Sequence, residues 1–297
     1  MGEKNPFSIY DFLGYLFPGI VAIFVAFIVR QSWIDEQCNL FKCLHVWNLL
    51  GLIRKEINLN WLEASVAVVI VSYIAGHIVA YISSLTVEFL ANKSMRYPSE
   101  YLLEGSERSF FKEYFRTADI ANSKVYRWAI LVVLWPLSLF FFTFSEYGLR
   151  AFLASPLTGY LVQSIKDKTF SLYDKLGLAR RSVNDNIDFH RVVMHYTYLH
   201  VENAQRKADN YVALYGFLRA MCFISTLFYD YIFINAMYTC RYVFIKDAVV
   251  CIDWFVIGVL VLGYIVCVLL FLAFIKFYRR FTLENFMALI TTDKEFR

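Results

Sequence analysis

The sequence predicts an all-α fold: a polytopic transmembrane helix bundle of about six spans, with a cytoplasmic helical extension that leads into the fifth span. The 297 residues are 59% hydrophobic and only 18% charged, which is too apolar for a soluble domain of this length. Several stretches reach the roughly 20 apolar residues that a bilayer core requires. Most Lys and Arg residues also fall in segments that the predicted threading places on one side of the membrane. We treat residues 1–297 as a single transmembrane domain because no internal repeat or linker interrupts them.

Four of the predicted spans are apolar over a sufficient length, and a fifth is apolar apart from two charged residues. They cover residues 12–29, 61–90, 128–144, 212–238 and 252–277. The fifth span, 212–238, qualifies only if Arg219 and Asp230 are tolerated inside the membrane. A further candidate, 149–165, is short and contains Arg150 and Pro156. Whether 149–165 crosses the membrane decides the topology.

The distribution of positive charge favours a crossing at 149–165. Cytoplasmic loops are enriched in Lys and Arg. If 149–165 crosses, the segments 92–127 and 166–211 share one side with both termini, and that side holds 21 of the 29 basic residues. If it does not cross, the two basic segments lie on opposite sides. The sequence therefore predicts six crossings with both termini in the cytoplasm.

Four cysteines are consistent with this topology. Cys38, Cys43, Cys240 and Cys251 would all lie in outer loops, where an oxidising environment favours disulfides. Pairing within each loop and pairing between the loops both remain open, and the alternative is four free thiols.

A helical stripe precedes the fifth span. From Met194 onward, small and apolar residues recur at alternating steps of three and four, which predicts one unbroken helix that continues into the span. The association stripe consists of Val201, Ala204, Ala208, Tyr211 and Tyr215. Its partner is either another part of this chain or a second copy, and we carry self-association as an expectation.

The motif search finds no nucleotide-binding, metalloprotease or serine-hydrolase signature. His190, His195 and His200 are five residues apart, so each is turned by about 140° from the last on a helix, and the three do not converge on a metal ion. The net charge of +4 is modest and does not indicate a nucleic-acid partner. We expect no metal, no cofactor and no enzymatic activity.

Polar residues interrupt the second and fifth spans. We describe six of them as a polar intramembrane track, composed of His77, Tyr81, Ser84, Glu88, Arg219 and Asp230. Those from the second span follow at i, i+4, i+7 and i+11, which places them on one helix face. One interpretation is that they join helices, with Glu88 paired to Arg219 and Asp230 paired to Arg150. A second interpretation is a water-lined path across the bilayer.

An intramembrane hydrolase is a remote third interpretation. His77 and Ser84 are the residue types of a nucleophile and its base. Seven residues on one helix separate them by roughly 10 Å, which is too far for a hydrogen bond.

Three segments carry a resemblance to a family. YDFLGYLFPG at Tyr10–Gly19, GHIVAYISS at Gly76–Ser84 and FYRRFTLENF at Phe277–Phe286 resemble segments of an uncharacterised group of bacterial multi-pass inner-membrane proteins. The resemblance implies a bacterial inner-membrane location. Some such proteins are suspected of roles in phage defence, in which a membrane protein is switched on and permeabilises the cell.

The sequence therefore leads to two functional hypotheses. The first is an oligomeric gated conduit, or a membrane-permeabilising effector, whose cytoplasmic segments receive a signal from an unknown partner. The alternative is a non-conducting scaffold, immunity or partner-binding subunit. In both hypotheses the lipid bilayer is the main partner of the chain.

Overall fold

The structure is a computed structural model that describes residues 11–34, 61–105, 109–115, 121–144, 153–177, 186–201, 204–245 and 254–291. Within these ranges 93% of the residues are helical and none forms a strand, which confirms the all-α class. The helices are α1 (Phe17–Ile34), α2 (Trp61–Ser83), α3 (Phe89–Met95), α4 (Pro98–Glu104), α5 (Phe110–Phe115), α6 (Ala121–Val133), α7 (Trp135–Phe144), α8 (Gly159–Lys175), α9 (Asn186–His200), α10 (Ala204–Ile245) and α11 (Trp254–Ile290). Two π-helical turns, Phe12–Leu16 and Ser84–Glu88, precede α1 and connect α2 to α3.

Four helical segments of the described chain are long and apolar enough to cross a membrane, which supports an integral membrane protein. They are Phe12–Arg30, Ser65–Glu104, Gln205–Tyr238 and Trp254–Ile290. A fifth candidate is broken: α6 and α7 together pass the same test but meet at an angle of 98°. Pro136 lies in the first turn of α7, where it cannot donate a backbone hydrogen bond to α6. The number of candidate spans is therefore four, or five if the bent pair is one span.

The predicted span 149–165 is not one continuous helix. Residues 154–158 are non-helical, and α8 begins only at Gly159. Pro156 lies in this break, and a proline disfavours helical geometry in the residue before it. The backbone N–H of Leu157 instead donates to the carbonyl of Leu102, at 2.9 Å. The predicted count of six spans is therefore not confirmed.

The chain divides into two compact units. Unit 1 comprises Met1–Thr86 and Gly216–Phe271, and unit 2 comprises Val87–Tyr215 and Leu272–Arg297. One boundary falls in the π-helical turn after α2, and the other two fall within α10 and α11.

Small residues bring α1 and α2 into close contact in unit 1. A Cβ atom built on Gly19 would lie 1.7 Å from the carbonyl oxygen of Ser72, and one built on Gly76 would lie 1.8 Å from that of Tyr15. No side chain fits in either place. Such contacts between backbones are typical of helix pairs in membranes, where van der Waals packing drives association.

The other two helices of unit 1 pack more conventionally. Gly263 of α11 leaves room for the ring of Tyr229, since a Cβ there would lie 3.1 Å from that ring. The thiol of Cys222 on α10 lies 3.9 Å from the carbonyl oxygen of Cys267 on α11. Both cysteines are free and buried.

Unit 2 has an aromatic core. Phe110 of α5 stacks on Phe141 of α7 with ring centroids 4.3 Å apart, and both side chains are fully buried. Other large side chains that are fully buried in unit 2 are Tyr101, Tyr114, Phe274, Phe286, Leu90 and Leu102. The bent pair of α6 and α7 belongs wholly to this unit.

The predicted unbroken helix into the fifth span is wrong in part. α9 ends at His200, Val201 forms a bend, and α10 runs without interruption from Ala204 to Ile245. Thr197 of α9 and Ala208 of α10 are both buried, so each helix has its own packed face. The spacing of three and four therefore recurs in both helices, and it does not reveal the break between them.

Candidate functional site

The polar line on α2 lies partly on the surface of unit 1. His77 is exposed, and 66% of the Tyr81 side chain is exposed, whereas Ser84 is only partly exposed. Their neighbours on this surface, Ile74 and Ile78, are also exposed. His77 and Tyr81 therefore lie among exposed isoleucines of α2, and Ser84 begins the π-helical turn after it.

Three hydroxyl side chains at or just after the end of α2 form hydrogen bonds to the backbone of the helix. Ser83, Ser84 and Thr86 each donate to a carbonyl three or four residues earlier, at 2.7–2.9 Å. Back-bonding of this kind competes with the regular helical hydrogen bonds and bends helices. The π-helical turn at Ser84–Glu88 coincides with these bonds. Because a π-turn is wider than an α-turn, Glu88 is rotated from the position that regular α-helical spacing predicts.

His77 makes one ring contact with a neighbouring helical segment and one within its own helix. Its ring is stacked on Tyr15, with centroids 3.8 Å apart and planes inclined by 19°, and it meets Tyr73 edge to face at 4.6 Å. Tyr15 belongs to the π-helical turn before α1, and its carbonyl oxygen is the one that excludes a side chain at Gly76. His77 therefore lies beside one of the two close backbone contacts between the first two candidate spans.

Arg219 of α10 reaches the second span at a point before Glu88. Its Nε donates to Ser83 Oγ at 3.3 Å, and its Nη2 donates to the carbonyl oxygen of Ala80 at 3.3 Å. Ser83 is fully buried, so this guanidinium is held between helices. The predicted pair of Glu88 with Arg219 stays a prediction, since the two residues belong to different units.

Asp230 does not join this group. It lies on α10 eleven residues after Arg219, which corresponds to about 16 Å along the helix. Its electrostatic neighbours are Tyr229 on the same helix and Cys267 on α11. Its predicted partner Arg150 lies outside the described residues. The six residues of the polar track are thus distributed over separate contacts of α2, α10 and α11.

Three of the four cysteines that were predicted to form disulfides lie outside the described residues. Cys38, Cys43 and Cys251 lie outside the described residues, and Cys240 is described only as a backbone position in α10. The pairing of these cysteines stays a prediction.

The association stripe contacts its own chain in unit 2. Tyr211 packs near Phe277 with ring centroids 6.4 Å apart, and Tyr215 packs against Tyr278 at 5.1 Å. Ala208 is buried, whereas Val201 precedes α10. Of the two partners that the sequence left open, these contacts favour the chain's own helix α11 for the tyrosines.

The three spaced histidines lie on α9 and have different surroundings. His190 meets the rings of Phe281 and Phe286 edge to face, at 6.0 and 5.6 Å. Burial lowers the pKa of His190 to about 4, because its Nε2 has no exposed surface and no hydrogen-bond partner among the described residues. His195 is exposed, and His200 stacks on Tyr196. Nowhere in the described ranges do three His, Cys, Asp or Glu side chains form a group that could hold a metal ion.

A cluster of charges that sequence reasoning missed surrounds Arg96 in unit 2. Arg96 is within 3.3–3.4 Å of carboxylate oxygens of Glu100, Glu104 and Glu113. Its φ of 71° and ψ of 175° fall in a region that is essentially restricted to glycine. Arg96 lies between α3 and α4, two residues before Pro98. The spacing of Arg96 to Glu100 and Glu104 was visible in the sequence, but the strain was not.

A buried arginine, Arg127, joins α5 to α6 in unit 2. Arg127 is 3% exposed, and its Nη1 donates to the carbonyl oxygen of Tyr114. The Tyr114 hydroxyl donates in return to the carbonyl oxygen of Arg127 at 3.0 Å. Burial raises the pKa of Tyr114, so its hydroxyl stays protonated and able to donate. These two hydrogen bonds hold α5 against α6, the first helix of the bent pair.

Comparisons with known proteins identify no relative. No family model matches the chain, and no curated protein or solved structure matches it either.

Proposed function

We propose that the protein is a non-enzymatic, oligomeric membrane protein in which copies of α2 line a gated polar path. The observation that carries this proposal is the exposure of His77 and Tyr81 on α2, where the other exposed residues between Val66 and Ile82 are Ile and Val. Polar residues within spans face a bundle interior or water in preference to lipid tails. A path between copies would place both side chains against water and against the partner's α2.

The charge distribution supports four crossings with the same sidedness that six would give. The sequence ranges of unit 2 contain 21 of the 29 basic residues, and the ranges of unit 1 contain eight. An even number of crossings keeps the basic segments and both termini on one side, whereas five would separate them. We therefore propose that α6 and α7 enter the membrane surface and return, and that unit 2 faces the cytoplasm of a bacterial cell.

In this proposal unit 2 receives the signal. It contains the ion-pair cluster at Arg96, the helix α3 that follows α2, the first part of α10 and the last part of α11. A cytoplasmic partner that alters these helix ends would act on the polar face of α2. The resemblance to bacterial inner-membrane proteins suspected of phage defence suggests that the open path permeabilises the membrane.

A non-conducting scaffold, immunity or partner-binding subunit is the second candidate. It is favoured by the contacts that satisfy polar residues inside unit 1. Arg219 is bound to Ser83 and Ala80, and His77 is stacked on Tyr15. Side chains held in this way join helices and need no water-filled path.

The topology can be tested by accessibility labelling of single cysteines in a cysteine-free background. Lys124 on α6 and Phe144 at the end of α7 are both exposed. With four crossings, Lys124→Cys and Phe144→Cys react only with reagents that reach the cytoplasm. Reaction of Phe144→Cys with an impermeant external reagent would show that the bent pair crosses.

The path can be tested by ion flux in proteoliposomes together with the mass of the particle in detergent. We expect His77→Leu and Tyr81→Leu to reduce flux about tenfold or more, since they remove the polar groups. Ile78→Leu lies on the same exposed face and should leave the flux unchanged. A monomeric particle, or a wild-type protein without flux both alone and with added cytoplasmic extract, would contradict the path and leave the scaffold.

A further inference from the structure

Among the described residues, Arg279 in unit 2 has no carboxylate partner. In the part of the chain that the structure describes, its hydrogen bonds go only to Ser155, from Nη2 to the carbonyl oxygen at 3.1 Å and to Oγ at 2.9 Å. Its Nε has no exposed surface and no hydrogen-bond partner among the same residues. The neighbouring Arg280 differs, because it is exposed and pairs with Glu284 at 3.4 Å.

A second buried donor lies in the same unit. The Tyr101 side chain is 1% exposed, and its hydroxyl has no hydrogen-bond partner within the described ranges. Arg279 acts on this hydroxyl electrostatically. A buried hydroxyl and a buried guanidinium N–H each cost free energy when they are left without an acceptor. Both are donors, so one acceptor placed between them would satisfy both.

The surrounding backbone holds these groups in place. Ser155 lies in the non-helical stretch before α8, which is tied to α4 by the hydrogen bond from Leu157 to Leu102. Pro156 packs on Gly105 at the end of α4, 3.6 Å from where a Cβ would lie. Gly105 has a φ of 72°, a conformation that side chains other than glycine rarely adopt. Tyr101 and Ser155 are therefore presented to Arg279 by one connected turn.

We propose that Arg279, Tyr101 and Ser155 form a binding site for a phosphate group. A guanidinium binds phosphate oxygens through paired N–H donors, and the tyrosine and serine hydroxyls add two further donors. The phosphate belongs either to the headgroup of an anionic lipid or to a soluble compound. A lipid source agrees with the sequence, because Lys276, Arg279 and Arg280 are the first basic residues after the apolar part of α11. The site goes beyond the proposed path, since binding requires no conduction.

The experiment uses the full chain and two probes of the same chemistry. In the first arm, inorganic phosphate is titrated against the protein in detergent, with chloride at equal ionic strength as the reference. In the second arm, the protein is extracted from nanodiscs that contain phosphatidylglycerol, and retained lipid is measured by native mass spectrometry. Each arm compares the wild type with Arg279→Gln, Tyr101→Phe and the matched control Arg280→Gln.

We expect binding in at least one arm, weakened about tenfold or more by Arg279→Gln, less strongly by Tyr101→Phe, and not by Arg280→Gln. Phosphate binding without lipid retention would identify a soluble ligand, and the reverse would identify a lipid. Without any anion, Tyr101→Phe should unfold at the same temperature as the wild type or higher, because it removes an unsatisfied hydroxyl.

Two results would overturn the site. One is the absence of binding in both arms, and the other is an Arg280→Gln variant that weakens binding as much as Arg279→Gln. If Arg279→Gln does not fold, the comparison of Tyr101→Phe with Arg280→Gln decides, since neither removes a hydrogen bond between described helices.

Discussion

Unit 1 and unit 2 are packed with different kinds of side chain. In unit 1, Gly19 and Gly76 let two helix backbones touch, and large Ile and Val side chains remain on the surface. In unit 2, aromatic rings fill the interior, and Arg96 and Arg127 are held by carboxylates or carbonyls. Close contact between small residues stabilises helix pairs in lipid, where burial of apolar surface gives no driving force. A core of buried aromatic rings is the stabilisation expected in water.

The difference predicts which kind of substitution destabilises each unit most. Unit 1 should respond most to added volume at its glycine contacts. Unit 2 should respond to changes in backbone strain and in protonation at its polar groups. Three substitutions test this contrast.

The largest effect is expected at the contact between α1 and α2. Gly76→Ala puts a methyl group where the carbonyl oxygen of Tyr15 lies, so the helices must separate, and we expect a loss of about 2–3 kcal/mol of stability. Gly258→Ala on α11 is the matched control, because no heavy atom lies within 4 Å of its new methyl group. Thermal unfolding in detergent measures both variants. Equal unfolding temperatures for the two would refute the close contact.

A smaller effect is expected at Arg96. Arg96→Ala and Arg96→Gly both remove the three ion pairs, but only glycine adopts the backbone geometry without strain. The glycine variant should therefore be more stable than the alanine variant by about 1–2 kcal/mol. At Lys112, an exposed helical position in α5, the order should reverse, since glycine weakens a helix. Denaturant unfolding measures both pairs, and the same order at both positions would argue against strain at Arg96.

At neutral pH the smallest effect is expected at His190, whose protonation should lower the stability of unit 2 only below about pH 6.5. Its folded pKa of about 4 lies below the ordinary value of about 6.5, so the unfolded chain binds the proton more readily. Stability should therefore be complete above pH 6.5 and fall as the pH drops towards 4, by at most about 1.4 kcal/mol per pH unit. Hydrogen exchange of α9 measures this loss.

His190→Phe should remove that slope, because phenylalanine suits the ring contacts with Phe281 and Phe286 and cannot be protonated. His195→Phe changes an exposed histidine of the same helix and should retain the slope. A slope that persists in His190→Phe would assign it to another group.

The sequence alone predicted the membrane class, the helical class and four of the apolar segments. These follow from composition and local periodicity, because a helix that crosses lipid must be long, apolar and internally hydrogen-bonded. The face of α2 from His77 to Ser84 was also predictable, since helical spacing fixes which residues are neighbours. The break at Leu134 and the non-helical stretch around Pro156 were less visible, because proline is tolerated in some spans and breaks others.

Only the tertiary structure decided how the polar residues are paired. Arg219 bonds to Ala80 and Ser83, His77 stacks on Tyr15, and Arg96 gathers three glutamates. Each of these contacts depends on the position of a second segment of the chain or, at Arg96, on an unusual backbone conformation. Hydropathy and spacing act along one helix and determine where it lies and which face it presents. The choice of partner depends on how closely two backbones approach, and that is set by single glycines, π-helical turns and bends whose effect appears only once the helices are packed.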